Sequence, residues 1–92
     1  MGLTFEWHRA KARANLRKHG VAFEEAATVF GDPLSMTIED PVQVHGERRF
    51  AIVGRSHLGR TLVVVHVERG ERIQIISART ATRGERKQYE EA

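Results

Sequence analysis

The stretch that decides the fold is residues 50–79, FAIVGRSHLGRTLVVVHVERGERIQIISAR. It contains three runs rich in Val and Ile, residue types that favour a pleated and packed strand. Gly70 and Glu71 form a two-residue loop that begins with glycine, which is typical of a tight hairpin. The SHLG segment at residues 56–59 provides a second, longer turn. The pattern predicts three consecutive antiparallel strands, a meander, at the centre of a small sheet.

The register of the second hairpin predicts how side chains divide between the two sheet faces. A two-residue loop places Arg69 opposite Arg72 and His66 opposite Ile75. The face expected to form the core then holds Val63, Val65, Val67, Gln74, Ile76 and Ala78. The other face, apolar at its base and polar along one side like the floor of a functional site, holds Leu62, Val64, His66, Glu68, Ile73, Ile75, Ser77 and Arg79. The register of the first strand stays open, so residues 48 and 49 are not assigned to a face.

Helices are predicted on both sides of the meander. Residues 9–18 are rich in Ala and are followed by Gly20, a typical residue at a helix C-terminus. Apolar residues at 23, 26, 27 and 30 have the spacing of a second, amphipathic helix over residues 23–30. Thr82 with Glu85 three residues later is a capping box, which predicts a final helix through about Tyr89.

Two shorter strands complete the predicted architecture. Apolar and polar residues alternate over 34–39, the period of a half-buried strand, and Asp40 and Pro41 end it. Residues 3–6 are either a strand or an extended lead-in. The predicted fold class is therefore α+β: a small antiparallel sheet with an N-terminal helical hairpin and a C-terminal helix. The helices are expected mainly on one face, and the 92 residues are expected to form a single domain, residues 1–92.

Composition narrows the classes of function. The net charge is +3, the sequence pI is near 10.0, and twelve of the fifteen basic residues are Arg. The planar fork of Arg suits phosphate and carboxylate, so this balance favours nucleic acid or an acidic protein as partner; an ordinary, mildly basic protein is the alternative. No apolar run approaches ~18 residues, so no membrane span is expected. The absence of Cys excludes disulfides and fits a reducing cytoplasm.

No familiar catalytic motif is present, and the His residues at positions 8, 19, 45, 57 and 66 are too scattered to predict a metal site. No metal or cofactor is expected. The remaining residues suit metal-free cleavage of RNA, which needs a base for the 2′-hydroxyl, cations for the phosphorane and an acid for the leaving oxygen. The candidate catalytic residues are Arg79, Arg49, His19 and Glu47. The candidate substrate-binding residues are Trp7, Lys18, Arg48, His66 and Ser77.

Several candidates have an equally simple structural explanation. Arg79 at a strand end is either a phosphate clamp or half of a salt bridge. His19 at a helix C-terminus is an acid or base, or a cap for helix carbonyls. Trp7 would stack on a base or anchor the first helix by packing. His66, among Val residues, has the surroundings of a core histidine, and the charged cluster at 47–49 those of a solvated surface.

The segments KARANLRKHGVAFEEAATVFGDP, GRTLVVVHVER and RIQIISARTAT, in this order and spacing, resemble the BrnT family of type II toxins. The resemblance extends from Phe5 to Glu90. It implies a RelE-like fold and a ribonuclease activity that blocks translation. It also implies neutralisation by a BrnA-like antitoxin, a small ribbon-helix-helix protein. The expected partners are this antitoxin in a hetero-oligomer, an RNA substrate, and operator DNA reached through the antitoxin.

Two positions depart from the family pattern. His8 stands where the family usually has Asp, a much better helix N-cap. Gln43 stands where the family tends to have His, and His45 is nearby. Three functions follow, in order of preference: a metal-independent endoribonuclease toxin, a basic binding module that has lost cleavage and acts only within an antitoxin and operator complex, and a purely structural partner.

Overall fold

The computed structural model describes residues 2–40 and 46–92. The elements are β1 (Thr4–Glu6), α1 (Arg9–His19), α2 (Phe23–Thr28), β2 (Met36–Glu39), β3 (Arg49–Arg55), β4 (Thr61–Arg69), β5 (Arg72–Thr80) and α3 (Arg83–Glu91). The strands form one sheet in the order β1-β5-β4-β3-β2, in which β1 runs parallel to β5 and the other neighbours are antiparallel. The predicted α+β fold class is confirmed. No helix in the described ranges is long and apolar enough to span a membrane.

The central meander has the predicted strands and turns. Arg69 pairs with Arg72 and His66 with Ile75, as a two-residue loop requires. Gly70 has a φ angle of 64°, in the left-handed region that glycine adopts without a steric penalty. The local signals in the second hairpin were therefore sufficient to predict its register near the turn.

The predicted division of side chains between the two faces is correct up to Ile75 and wrong beyond it, because β5 contains a bulge. The pairing shifts between Val65 and His66, so that Val65 pairs with Ser77 and Val64 with Ala78. One extra residue in a strand moves every residue beyond it to the opposite face. Ser77 and its alternate neighbour Arg79 therefore leave the face of Val64 and join the face of Val65.

The inner face of the sheet, covered by α1 and α2, holds the larger hydrophobic core. This core combines helix residues with residues of β3, β4 and β5: Val21, Phe23, Ala26, Val29, Ile52, Leu62, Val64, Ile73, Ile75 and Ala78. Four of these strand residues were predicted to form the floor of a functional site: Leu62, Val64, Ile73 and Ile75. The structure shows that they are core.

The outer face, on the opposite side of the sheet, is covered by α3 at one end. Tyr89 of α3 packs there against Val53 and Val63. Arg79 lies on this face because it pairs with Val63. Val65, predicted to be buried, is only half-buried. The outer face therefore keeps an accessible surface beyond α3.

The helix ends follow their predicted capping residues. His8, at the N-cap of α1, makes no side-chain hydrogen bond to the helix, while Gly20 ends α1 with a φ of 69°. The first two helices are present, but α2 is shorter than predicted because a 3₁₀ turn, Val29–Gly31, replaces its last residues. The predicted capping box of α3 is confirmed by reciprocal hydrogen bonds between Thr82 and Glu85.

The second strand differs from its prediction. It begins at Met36 rather than at residue 34, and Ile38 is 66% exposed, so the strand is not half-buried along its length. Within residues 3–6, Thr4–Glu6 form the short strand β1 rather than only a lead-in. Gln43 and His45, the positions of one departure from the family pattern, lie outside the described residues.

Asn15 attaches α1 to the edge of β5. β1 pairs with β5 only over residues 72–74, which leaves the next part of that edge without a neighbouring strand. The Asn15 amide fills this position: Nδ2 donates to the carbonyl oxygen of Ala78 at 2.8 Å, and Oδ1 accepts from its N–H at 3.0 Å. Nδ2 also donates to the carbonyl of Val21 at 3.0 Å. This side chain therefore replaces a strand, and sequence reasoning did not single it out.

Candidate functional site

The outer face has two ends with different chemistry. The open end comprises Glu6, Glu47, Arg49, Arg69 and Gln74. The helix-covered end comprises Val53, Val63, Arg79, Glu85 and Tyr89. The sheet register places the members of each end side by side: across the open end, Arg49 pairs with Val67, Val67 with Gln74, and Gln74 with Glu6. None of the helices in the described residues covers the open end.

Arg69 organises the open end. Its Nε donates to Glu47 Oε2 at 3.0 Å, and its Nη1 donates to Gln74 Oε1 at 2.8 Å. The same Nη1 lies 3.6 Å from Glu6 Oε2, and Arg72 donates to Glu6 Oε1 at 2.9 Å. Like charges directly opposite each other destabilise a hairpin, so the two carboxylates compensate the facing arginines. The network holds Glu47 in a defined position.

Arg49 is half-buried beside this network. Within residues 2–40 and 46–92, neither an ion pair nor a hydrogen bond joins its side chain to another group. Because alternate residues of an extended chain project to the same side, Glu47 and Arg49 both belong to the outer face. A guanidinium group with free donors beside a carboxylate is an arrangement suited to a phosphate diester.

Arg49 and Arg79 share the outer face but do not lie alongside each other. They pair with Val67 and Val63, which are four residues apart on β4. With about 3.3 Å per residue and about 4.8 Å between strands, their Cα atoms are roughly 16 Å apart. The register therefore does not bring Arg49 alongside Arg79, as a shared phosphate clamp would require. Each arginine faces a different part of any bound chain.

Arg79 forms a bidentate ion pair at the helix-covered end. Its Nη1 and Nη2 donate to the two carboxylate oxygens of Glu85 at 2.7 and 2.8 Å. Glu85 also accepts from the N–H of Thr82 at 2.9 Å as part of the capping box. The hydrogen bonds from Arg79 lower the pKa of Glu85 to about 2, so Glu85 is ionised at neutral pH. Arg79 thus has the structural role considered above, a strand-end salt bridge.

A hydrogen bond from Tyr89 links α3 to Asp32, the residue that follows the 3₁₀ turn. The Tyr89 hydroxyl donates to Asp32 Oδ2, which also accepts from the N–H of Arg55 at 2.8 Å. Burial raises the pKa of Asp32, but the hydrogen bonds from Arg55, Tyr89 and Leu34 outweigh burial and lower it. The carboxylate therefore stays charged and holds the helix-covered end together.

His66 does not fit the prediction that it binds substrate. It is fully buried on the inner face, with ring centroids of Phe30 and Phe50 at 4.8 and 5.8 Å. Its Nε2 lies 3.0 Å from Glu68 Oε2, so its polar atoms have protein partners. The structure therefore shows the alternative, a core histidine. RNA cannot reach a side chain that has no exposed surface.

Lys18, His19 and Ser77 line one groove between α1 and β5, with a volume of about 280 Å³. This groove lies at the edge of β5, where α1 takes the place of a neighbouring strand. Arg49 lies in β3, and Glu47 contacts Arg69 of β4, so both are away from this edge. The structure therefore separates His19 from the other predicted acid–base candidate.

Trp7 and Arg48 also have protein partners. Trp7 is half-buried, and its ring meets that of Phe23 edge-on with centroids 5.8 Å apart. This contact supports the packing role rather than base stacking. Arg48 donates to both oxygens of Glu39 at 2.6 and 2.9 Å, and its Cζ lies 5.4 Å from the ring centroid of Phe50. Arg48 is therefore already occupied, unlike its neighbour Arg49.

Sequence reasoning missed Arg69 as a site residue. A signal was present, because the hairpin register places Arg69 directly opposite Arg72, and such a pair needs nearby carboxylates. The sequence does not show which carboxylates these are, because Arg69 and its partner Glu47 are 22 residues apart. In the part of the chain that the structure describes, no three His, Asp or Glu side chains are grouped so that they could hold a metal ion.

Comparisons with known proteins agree with this architecture. A family model described as "Ribonuclease toxin, BrnT, of type II toxin-antitoxin system" matches residues 7–85. Among solved structures, the fold is similar to the 1.1 Å crystal structure of the Brucella abortus ribonuclease toxin BrnT. That likeness has a TM-score of 0.64 and 19% identity, and covers 88% of this chain and 99% of that chain. At this identity it shows the fold alone. No curated protein sequence matches the chain.

Proposed function

The chain belongs to the BrnT family of ribonuclease toxins of type II toxin–antitoxin systems, and from this premise we propose that it is a metal-independent endoribonuclease that inhibits translation in the cytoplasm. A BrnA-like ribbon-helix-helix antitoxin neutralises it in a hetero-oligomer, through which the toxin associates with operator DNA. The substrate is RNA, and the open end of the outer face is the site of cleavage.

The observation that carries this proposal is the guanidinium of Arg49, which has no ion-pair or hydrogen-bond partner among the described residues. Other arginines of the sheet are matched to carboxylates: Arg48 to Glu39, Arg69 to Glu47, and Arg79 to Glu85. Arg49 is half-buried and has no such partner in the described residues. Its charge therefore does not stabilise the folded state. Local choices that do not serve stability tend to mark functional sites. A phosphate group would supply the missing counter-charge.

The chemistry assigned to the open end uses two neighbouring groups. Glu47 accepts the proton of the 2′-hydroxyl, and the 2′-oxygen then attacks phosphorus. Arg49 stabilises the additional negative charge of the phosphorane. The bond to the 5′-oxygen breaks, leaving a 2′,3′-cyclic phosphate, and the 5′-oxygen takes a proton from water. Arg69 positions Glu47 through the hydrogen bond at 3.0 Å.

A specific observation favours one alternative, a binding module that has lost cleavage. The fork of Arg79, the first candidate for a phosphate clamp, is occupied by Glu85. His19 lies at the edge of β5, away from Glu47. On this alternative the basic surface would bind RNA or the antitoxin without breaking a phosphodiester bond.

The test is RNA cleavage by the purified protein with EDTA present. Wild-type protein is expected to cut a mixed-sequence RNA, and Arg49→Ala is expected to reduce the rate by about 10²–10³, the typical loss for one charge-stabilising donor. Arg48→Ala is the matched control, because it removes the adjacent arginine, whose guanidinium is paired with Glu39. Cleavage by Arg49→Ala within about threefold of wild type would place the site elsewhere. RNA binding by wild-type protein without cleavage would establish the alternative.

A further inference from the structure

A basic cavity lies at the other end of the outer face, between α3 and the β3–β4 turn. Its volume is about 500 Å³. Three arginines, two threonines and one carboxylate supply its polar lining: Arg55, Arg60, Arg86, Thr61, Thr80 and Glu90. We call this the α3 cleft. It is separate from the open end, and the cleavage chemistry does not use it.

Arg60 is a rigid part of the α3 cleft. Its Nε donates to Glu25 Oε2 at 3.0 Å, and its Nη2 donates to the carbonyl of Gly20 at 3.1 Å and to Glu25 Oε1. Glu25 is only 5% exposed and also accepts a hydrogen bond from Ser56 at 2.6 Å. A guanidinium held on one edge by a buried carboxylate keeps a fixed orientation. The two N–H groups of Nη1 make no hydrogen bond within the described residues, and Arg60 is part of the cleft lining.

Arg55 is only weakly paired with a carboxylate, and Arg86 has no carboxylate partner in the described residues. Arg55 Nη2 lies 3.9 Å from Glu90 Oε2, a long contact between two half-exposed side chains. No carboxylate pairs with Arg86 in the described ranges. The side-chain hydroxyl of Thr61 makes no hydrogen bond to another group within residues 2–40 and 46–92. The three guanidinium groups are therefore matched by only two carboxylates, Glu90 with Arg55 and Glu25 with Arg60. Within the described residues, N–H donors remain free to bind an anion.

The position of Arg55 relates the α3 cleft to the open end. Arg55 pairs with Thr61, and Arg49 pairs with Val67, in the same β3–β4 ladder. The two arginines are six residues apart, so both belong to the outer face and are separated by roughly 20 Å along β3. A chain bound at Arg49 would therefore reach the cleft several nucleotides from the cleaved bond.

We propose that the α3 cleft is a second phosphate-binding subsite, which holds the backbone of single-stranded RNA several nucleotides away from the cleaved bond. This rests on the proposed function, because it takes RNA as the ligand of the outer face. Arginine forks bind phosphate oxygens bidentately and carry no base specificity. The subsite therefore increases affinity for RNA of any sequence and does not take part in the chemical step.

The experiment measures binding of a fluorescein-labelled, 2′-O-methyl RNA oligonucleotide, which cannot be cleaved, between about 50 and 200 mM NaCl. The double variant Arg55→Gln, Arg86→Gln is expected to reduce the slope of log Kd against log salt by about 1.4, since each phosphate contact to a single strand contributes about 0.7. The control Arg9→Gln, Arg13→Gln removes the same charge from two exposed residues of α1 and is expected to leave the slope unchanged.

An unchanged slope in the double variant, or an equal fall in the control, would overturn the subsite. An equal loss of affinity for a polyglutamate peptide would assign the cleft to an acidic protein and overturn it as well. Cleavage of unmodified RNA by wild-type protein separates the two proposals. If wild type cleaves but the slope is unchanged, only the subsite fails; if the slope falls but wild type does not cleave, only the proposed chemistry fails.

Discussion

The open end and the helix-covered end of the outer face each contain an Arg–Glu pair, yet the two pairs have different surroundings. At the helix-covered end, Glu85 is fixed both by Arg79 and by the capping box of α3. At the open end, Arg69 divides its donors between Glu47 and Gln74. The first pair fastens a helix to the sheet. The second leaves a positioned carboxylate on an uncovered surface.

The difference shows why an arginine at the end of a strand is ambiguous in a sequence. Arg79 is the last residue of the motif IISAR and has the features expected of a phosphate clamp, but a carboxylate six residues later pairs with it. Arg49 has no such neighbour in the described residues. Which arginine is available to a ligand is therefore decided by the helix that packs next to it.

The largest effect is expected from a charge placed under α3. Val53→Asp would bury a carboxylate beneath Tyr89 without a cation, and an uncompensated buried charge costs about 3–5 kcal/mol, enough to unfold a small domain. Val65→Asp is the matched control, because Val65 is half-buried outside that cluster and the protein is expected to remain folded. Urea unfolding measures both. Equal destabilisation would remove the distinction between the two ends.

The next largest effect distinguishes the roles of Glu47 and Glu85 in RNA cleavage. Glu47→Gln is expected to reduce the single-turnover rate of RNA cleavage by about 10², the lower range for loss of a general base. Glu85→Gln makes the same change at the other Arg-paired glutamate and is expected to leave the rate within about threefold. Arg79→Ala is likewise expected to keep cleavage. A larger loss from either change at the helix-covered end than from Glu47→Gln would move the catalytic centre to Arg79.

A smaller effect is expected at the contact between α3 and Asp32. Tyr89→Phe removes a hydrogen bond to a charged acceptor, which contributes about 1.5 kcal/mol to folding. The free energy of unfolding should fall by this amount while the cleavage rate stays the same. A fall in rate without a fall in stability would show that Tyr89 serves the chemistry and not the attachment of the helix.

The smallest effect concerns pH. The pKa of Glu85 is lowered from 4.5 to about 2, so its ion pair stabilises the folded state above pH 4.5 and loses this contribution as the pH falls towards 2. Both partners are partly exposed, so solvent screening limits the contribution to about 1 kcal/mol. Glu85→Gln should therefore differ from wild type most above pH 4.5 and least near pH 2. The exposed Glu91→Gln serves as control, and a pH-independent difference would contradict the ion-pair explanation.

Local patterns were enough to predict the elements but not which side chains share a face. The turn at Gly70 and the capping box at Thr82 depend on neighbouring residues, and both were predicted correctly. The bulge beyond Ile75 has no local signal, and it reversed the assignment of Arg79. The face of Arg49 depends on pairing between β3 and β4, and its freedom depends on which carboxylates other arginines occupy. These are contacts across the fold that composition and periodicity do not encode.

The contact between Asn15 and Ala78 makes one backbone amide a reporter of helix docking. The N–H of Ala78 points towards the edge of β5 and donates to Asn15 Oδ1 instead of to a strand. Its hydrogen exchange with solvent therefore does not require the sheet to open; detachment of α1 is sufficient. The amides of Val64 and Val63, inside the β3–β4–β5 ladder, exchange only when strands separate. The difference in their exchange rates measures how much more easily α1 leaves the sheet than the sheet comes apart.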